Sequence, residues 1–145
     1  SRWEAMGAQP VVWSAHRSED ARTALPEGDV LIVDAMGELL DAYAVADVVV
    51  VGGGFGHGVH NTLEPAAHGK RILVGPEVGR FAEVVALRAT GALSVCGSPS
   101  ALHQAIQTAL QDVEASRRAG AKAAAYAREN AGAGMAIAQG WSNAL

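Results

Sequence analysis

Short apolar runs alternate along the chain with stretches in which apolar residues recur every three or four positions. Val11-Val12-Trp13 reads as a strand, and the polar stretch Ala15 to Gly28, which holds Pro26, as a loop. Asp29 to Val33, apolar throughout after Asp29 and set between Gly28 and Asp34, has the pattern of a parallel strand buried on both faces. Gly37 to Ala46 carries Leu39, Leu40, Tyr43 and Ala44 at helical spacing. Four valines, Val48 to Val51, form the next strand and end sharply at Gly52-Gly53-Gly54. Thr62 to His68 then reads as a helix, with Asn61 as its N-cap, Glu64 at the capping-box acid position and Gly69 as its stop. Ile72 to Val74 is a strand followed by the turn Gly75-Pro76. Arg80 to Thr90 is a helix closed by Gly91, and Leu93 to Cys96 a last short strand. From Ser98 onward the pattern is helical: Ala101 to Leu110 capped by Ser98 or Ser100, Ala115 to Ala131, a break at Gly132-Ala133-Gly134, and Met135 to Ala144.

This β-α-β-α order predicts an α/β fold, a Rossmann-like doubly wound parallel sheet. The 145 residues read as a single domain with a helical tail from about 98 to 145. Such sheets bind ligands beyond the carboxyl ends of their strands. Function is therefore sought at Asp34 to Glu38, Gly52 to Glu64 and Gly75 to Phe81.

Composition narrows the classes. A net charge of -4 argues against nucleic acid as a partner. Cys96 is the one cysteine, so no internal disulfide forms, and a reducing, cytoplasmic compartment is expected. The longest apolar run is far too short to span a membrane. The chain opens on Ser1-Arg2-Trp3-Glu4, which reads as the tail of a helix and thus as the start of a fragment.

Five glycines fall within residues 52–58, a density that lets backbone amides approach a ligand. A helix start near Asn61 adds a positive dipole end, a setting that suits phosphate. The same glycines also fit a plain tight turn between strand and helix. The spacing matches neither a Walker loop nor a dinucleotide fingerprint. His57 and His60 have zinc-ligand spacing, but no third His or Cys stands at a usable distance, so no metal is assigned. Glu64 lies where it could accept hydrogen bonds from ribose hydroxyls, or where it merely complements the helix dipole. Asp34 could cap the following helix, Glu38 could serve that helix's dipole, and Arg80 could pair with a phosphate. No Gly-x-Ser-x-Gly elbow occurs, and Cys96 belongs to an apolar strand, as an inert thiol would.

The ordered set of motifs resembles the 3-deoxy-D-manno-octulosonic acid (Kdo) transferases. It comprises Asp34-Ala35-Met36-Gly37-Glu38-Leu39, Tyr43, Ala46-Asp47, Val51-Gly52-Gly53-Gly54-Phe55-Gly56, His60-Asn61-Thr62-Leu63-Glu64-Pro65-Ala66, Gly69-Lys70, Gly75-Pro76 and Phe81. Gly54 stands where many members have serine, Val59 replaces a glycine, and Arg80 takes the place of an asparagine.

The resemblance implies the C-terminal half of a GT-B glycosyltransferase, with about one β-α-β step, including the first strand, missing before Ser1. It implies donor contacts from Met36, Gly37, Glu38, Gly53, Gly54, His60, Asn61, Glu64, Pro76 and Arg80. The donor would be CMP-Kdo and the acceptor a lipid A precursor, in lipopolysaccharide biosynthesis. The acceptor, the catalytic base and any membrane association would belong to the missing N-terminal domain, at the cytoplasmic face of the inner membrane. No cofactor is implied. An exposed sheet edge where a strand is missing would favour self-association of the fragment. A GT-B enzyme using a UDP-sugar, or a non-catalytic nucleotide-binding module, would share the same fold logic.

Overall fold

The structure is a computed structural model and describes residues 4–16 and 27–131. A 3-10 turn, Glu4–Met6, precedes β1 (Pro10–Val12), α1 (Trp13–His16), β2 (Val30–Ile32), α2 (Leu39–Val45), β3 (Val48–Val51) and α3 (Leu63–Ala67). There follow β4 (Arg71–Val74), α4 (Ala82–Thr90), β5 (Leu93–Val95), α5 (Pro99–Gln111) and α6 (Val113–Asn130). The chain divides into two compact units, Ser1–Ala42 and Tyr43–Leu145, with the boundary inside α2. Among the described residues, no helix is long and apolar enough to cross a membrane.

Every strand pairing is parallel, as the βα alternation requires. In the first unit β1 pairs with β2, Pro10 opposite Val30. In the second, the order is β3-β4-β5, with Val48 opposite Arg71 and Ile72 opposite Leu93. The parallel, Rossmann-like α/β class expected from the sequence is therefore present, as one two-stranded and one three-stranded sheet among the described residues.

In the second unit the core is centred on β4. Ile72, Leu73 and Val74 are fully buried, which requires cover on both sheet faces. Helices α3, α5 and α6 pack on this strand, and α4 packs on β5 and α6. Each such side chain contributes about 1.5–3 kcal/mol relative to leaving it in water. The helix ends follow local chemistry. Ser98 accepts from the Ala101 amide at 3.1 Å with Pro99 in the first turn. Asp112 ends α5 and caps α6 by accepting from the Ala115 amide at 2.9 Å. Gly91, at φ +77°, closes α4. Helix α6 presents a stripe of small residues, Ser116, Ala119, Gly120 and Ala123, to the core. Its approach is so close that a Cβ on Gly120 would lie 1.9 Å from the Gly69 carbonyl oxygen.

Several elements differ from the sequence reading. Trp13 opens α1 instead of ending β1, because the backbone turns helical directly after Val12, and Ala15 belongs to that turn. Residues 17–26, 132–134 and the helix expected over Met135 to Ala144 lie outside the described residues. Asp34 does not cap α2. Its carboxylate accepts from the Ser14 amide at 2.9 Å and from the Ser14 hydroxyl at 2.5 Å, so it caps α1 across the carboxyl ends of β1 and β2. At the other end of this pair, Asp29 accepts from the Gln9 amide at 3.0 Å. The two bonds from Ser14 hold the Asp34 carboxyl below the ordinary carboxylate range.

A depressed folded-state pKa means that this contact is complete above the unfolded-chain value and is lost as pH falls through the folded one. The Ser14 amide should accordingly stay protected from hydrogen exchange from neutral pH through the ordinary carboxylate range and lose that protection only at pH values below it. A protection factor that stays unchanged below that range would refute the Asp34 cap.

Candidate functional site

The loops that leave the carboxyl ends of β3 and β4 form one body in the second unit. After Val51 the chain folds back on itself: the Gly56 and Gly58 amides donate to the Gly53 carbonyl at 2.9 and 3.2 Å, and the His60 amide donates to the Gly52 carbonyl at 3.1 Å. This reversal needs φ +87° at Gly53 and +102° at Gly58, where a side chain is disfavoured. A clasp then joins the two loops. The Glu77 amide donates to the Gly54 carbonyl at 2.8 Å, and the Glu77 carbonyl accepts from the Val59 amide at 3.0 Å. The backbones touch where these loops cross. A Cβ on Gly54 would lie 2.6 Å from the Gly75 nitrogen, and one on Gly75 would lie 2.4 Å from the Gly54 carbonyl carbon.

The glycine density thus reflects backbone packing at least as much as access to a ligand. The amides of Gly56, Gly58, Val59 and His60 all donate within the clasp, so the anion cradle is narrower than five glycines suggest. Helix α3 is only five residues long, and its Leu63 amide donates to the Asn61 side-chain oxygen at 2.9 Å. The N-cap position is Thr62, without a side-chain cap bond, and not Asn61 as expected; Asn61 stands one residue earlier and holds the Leu63 amide from there, because the helix begins at Leu63. No bond from Glu64 completes a capping box among the described residues.

A hollow of about 290 Å³ opens beside this clasp, lined by Val59, His60, Asn61, Phe81 and Glu83. Its chemistry is divided. With the Asn61 oxygen engaged by Leu63, the amide nitrogen is the end left to donate outward. His60 adds a second nitrogen-bearing group, Phe81 a half-exposed apolar wall, and Glu83 a carboxylate. Arg80 and Pro76 are exposed on the β4 loop that leads to this wall.

Glu64 stands in the first turn of α3, outside that lining. It lies close enough to Tyr43 that its charge, second to burial, pushes the Tyr43 phenol up. The Tyr43 ring in turn meets the His68 ring at a centroid distance of 5.9 Å. Met36, Gly37 and Glu38 belong to the first unit: Met36 is 99% exposed, Gly37 has φ +93°, and the Glu38 carbonyl accepts from the Ala42 amide at 3.1 Å. Glu83 was missed at the sequence level because an acid in a first helical turn is explained by the dipole alone. The signal that would have found it is positional, since α4 begins directly beyond the β4 loop.

A second hollow, of about 330 Å³, lies at the amino ends of the strands among Asp47, Lys70, Ser116 and Arg117. It is more enclosed, but it sits at the wrong end of a parallel sheet for the ligand of this fold class, and its Lys70 ammonium donates to the Ala44 carbonyl at 3.0 Å. Among the described residues no three His, Cys, Asp or Glu side chains gather as a metal cluster would.

A family model for glycosyl transferases group 1 matches residues 17–126. The chain belongs to that family. This glycosyltransferase chain is similar to the 3-deoxy-D-manno-octulosonic acid transferases of Haemophilus influenzae, at 34% identity over 107 residues, and of Bordetella pertussis, at 38% over 96 residues. It is also 37% identical over 84 residues to a probable mitochondrial enzyme of that name from Arabidopsis thaliana. These alignments cover 72%, 64% and 56% of the chain but only 25%, 22% and 19% of the relatives, so the chain spans a quarter or less of their length. The crystal structure of the C-terminal CMP-Kdo binding domain of WaaA from Acinetobacter baumannii shares the fold. Its TM-score is 0.69 at 27% identity, over 83% of this chain and 61% of that one.

The clasp makes opposite demands on two neighbouring glycines. Gly75→Ala should lower stability by about 1–3 kcal/mol, the range for overpacking a closed contact. Gly56, with open space around it and no positive φ, should tolerate alanine and gain up to about 1 kcal/mol from a less flexible unfolded chain. Urea denaturation of both variants checks this; equal effects would mean that the glycines serve loop flexibility alone.

Proposed function

We propose that these 145 residues form one donor-binding domain of a glycosyltransferase that moves Kdo from CMP-Kdo to a lipid A precursor at the cytoplasmic face of a membrane. The observation that carries this reading is the hollow at the carboxyl ends of β3 and β4, with outward donors at His60 and Asn61, in a chain with the fold of a CMP-Kdo binding domain.

The reaction sets the requirements. The bond between the sugar's anomeric carbon and the phosphate oxygen breaks, a bond to the acceptor oxygen forms, and CMP leaves with growing negative charge. Catalysis here means stabilising that charge with donors fixed in advance. The Asn61 side chain is held by the bond its oxygen accepts from the Leu63 amide, so it needs no reorganisation. His60 is fixed through its backbone to Gly52. The Arg80 guanidinium adds a charge-assisted donor to the phosphate. Gly53, Gly54 and Pro76 serve by setting the path of the two loops, and Glu64 accepts the ribose hydroxyls. For Met36, Gly37 and Glu38, which lie in the first unit, the donor role rests on the family resemblance alone. The base that takes the acceptor proton lies on another domain, as the family resemblance implies.

Titrating the chain with CMP and following amide shifts tests the site directly: residues 52–64 and 75–83 should move. Shifts confined to α5 and α6, or a preference for UMP, would refute the assignment. Glu64→Ala should weaken CMP binding by about 1–3 kcal/mol, the scale of hydrogen bonds to a charged group. Unchanged affinity with a lower melting temperature would make Glu64 a helix-dipole residue.

The 145-residue chain alone should bind donor without transferring sugar, because positioning both reactants together supplies a large part of the rate. Turnover of CMP-Kdo with a lipid A precursor by this chain alone would place the missing base within it.

A further inference from the structure

Glu83 lines the same hollow as His60 and Asn61 and has no part in holding the nucleotide. It is half-buried in the first turn of α4 and makes no hydrogen bond or ion pair among the described residues. An acid at this place complements the α4 dipole. The dipole alone leaves this side chain without a donor among the described residues and therefore free to accept hydrogen bonds from a ligand in the hollow.

The lining also sorts by hydrogen-bonding sense. The Asn61 amide nitrogen and the His60 ring lie on the loop side, and both can donate. Glu83 lies on the helix side and, when ionised, can only accept. A phosphate or carboxylate is attracted to the first side and repelled by the second. Hydroxyl groups suit the second side. Phe81 adjoins Glu83 and offers an apolar surface to the carbon face of a ring.

We propose that Glu83 is a specificity-determining residue, accepting hydrogen bonds from the hydroxyls of the activated sugar while His60 and Asn61 hold the anionic part of the donor. This rests on the donor reading above. It divides the hollow into a nucleotide-phosphate end and a polyol end, and it predicts that Glu83 senses the sugar and not the nucleotide.

The test separates those two ligands. In the full-length transferase, Glu83→Ala should raise the KM for CMP-Kdo about tenfold, the loss of a hydrogen bond to a charged group, while the affinity for CMP stays within twofold. Glu83→Gln, which keeps an acceptor oxygen and the side-chain shape, should recover part of that loss. It also serves as the comparison should the alanine variant not fold. An unchanged KM with a lowered melting temperature overturns the proposal and leaves Glu83 as a dipole residue. An equal loss for CMP and CMP-Kdo overturns it too, since the effect would then lie at the phosphate end. If the wild-type protein binds no CMP, the donor reading itself falls and this inference falls with it.

Discussion

Two glycines facing each other without room for a methyl group, Gly54 after β3 and Gly75 after β4, govern the carboxyl end of the second unit. Their contact lets the Glu77 peptide bridge both loops, donating to Gly54 and accepting from Val59. Val59 is thereby drawn into the core at 8% exposure, and the next two residues, His60 and Asn61, emerge at the surface. The hollow beside them exists because its two walls, one from each loop, cannot separate. A larger residue at either glycine would leave the strands intact and move the walls.

The amino end of β4 is constrained in the same manner. Gly69 turns the chain at φ +65° between α3 and β4, and Gly120 of α6 packs directly on its carbonyl. The central strand is thus flanked by glycine contacts at both ends, and its three inner residues, Ile72, Leu73 and Val74, are sealed from solvent. Apolar burial supplies the driving force in this unit, and close backbone contact supplies the precision. The small-residue face of α6 belongs to the same scheme, since bulkier residues there would lift the helix from Gly69.

Much of this was legible in the sequence. Runs such as Val48 to Val51 and Ile72 to Val74 fixed strands to within a residue, because a short all-apolar, largely β-branched run has no helical spacing to confuse the pattern. The stops at Gly69 and Gly91 were equally clear, since few other residues adopt their backbone angles freely. Tertiary capping was not legible. Asp34 precedes α2 in the chain and reads as a candidate cap for it, yet it turns to Ser14, twenty residues away. Nor could the glycine cluster be divided in advance into members that face open space, such as Gly56, and members locked against other backbone, such as Gly53, Gly54 and Gly75. That division depends on which strands pair, and local spacing does not encode it.

The stretch Gly52 to Glu83 also concentrates choices that a sequence selected for stability alone would avoid. Gly53, Gly58 and Gly79 lose much conformational freedom on folding. Thr62 is 1% exposed, and its hydroxyl finds no partner among the described residues, at a cost of about 1–3 kcal/mol when no water fills the role. Glu83 places an acid in the hollow with no ion pair among the described residues. The helix starts beyond that stretch, at Ser98 and Asp112, each carry a side-chain cap bond. Local consistency throughout the rest of the unit, and its breakdown at one end of one sheet, is the pattern expected where a ligand supplies the missing partners.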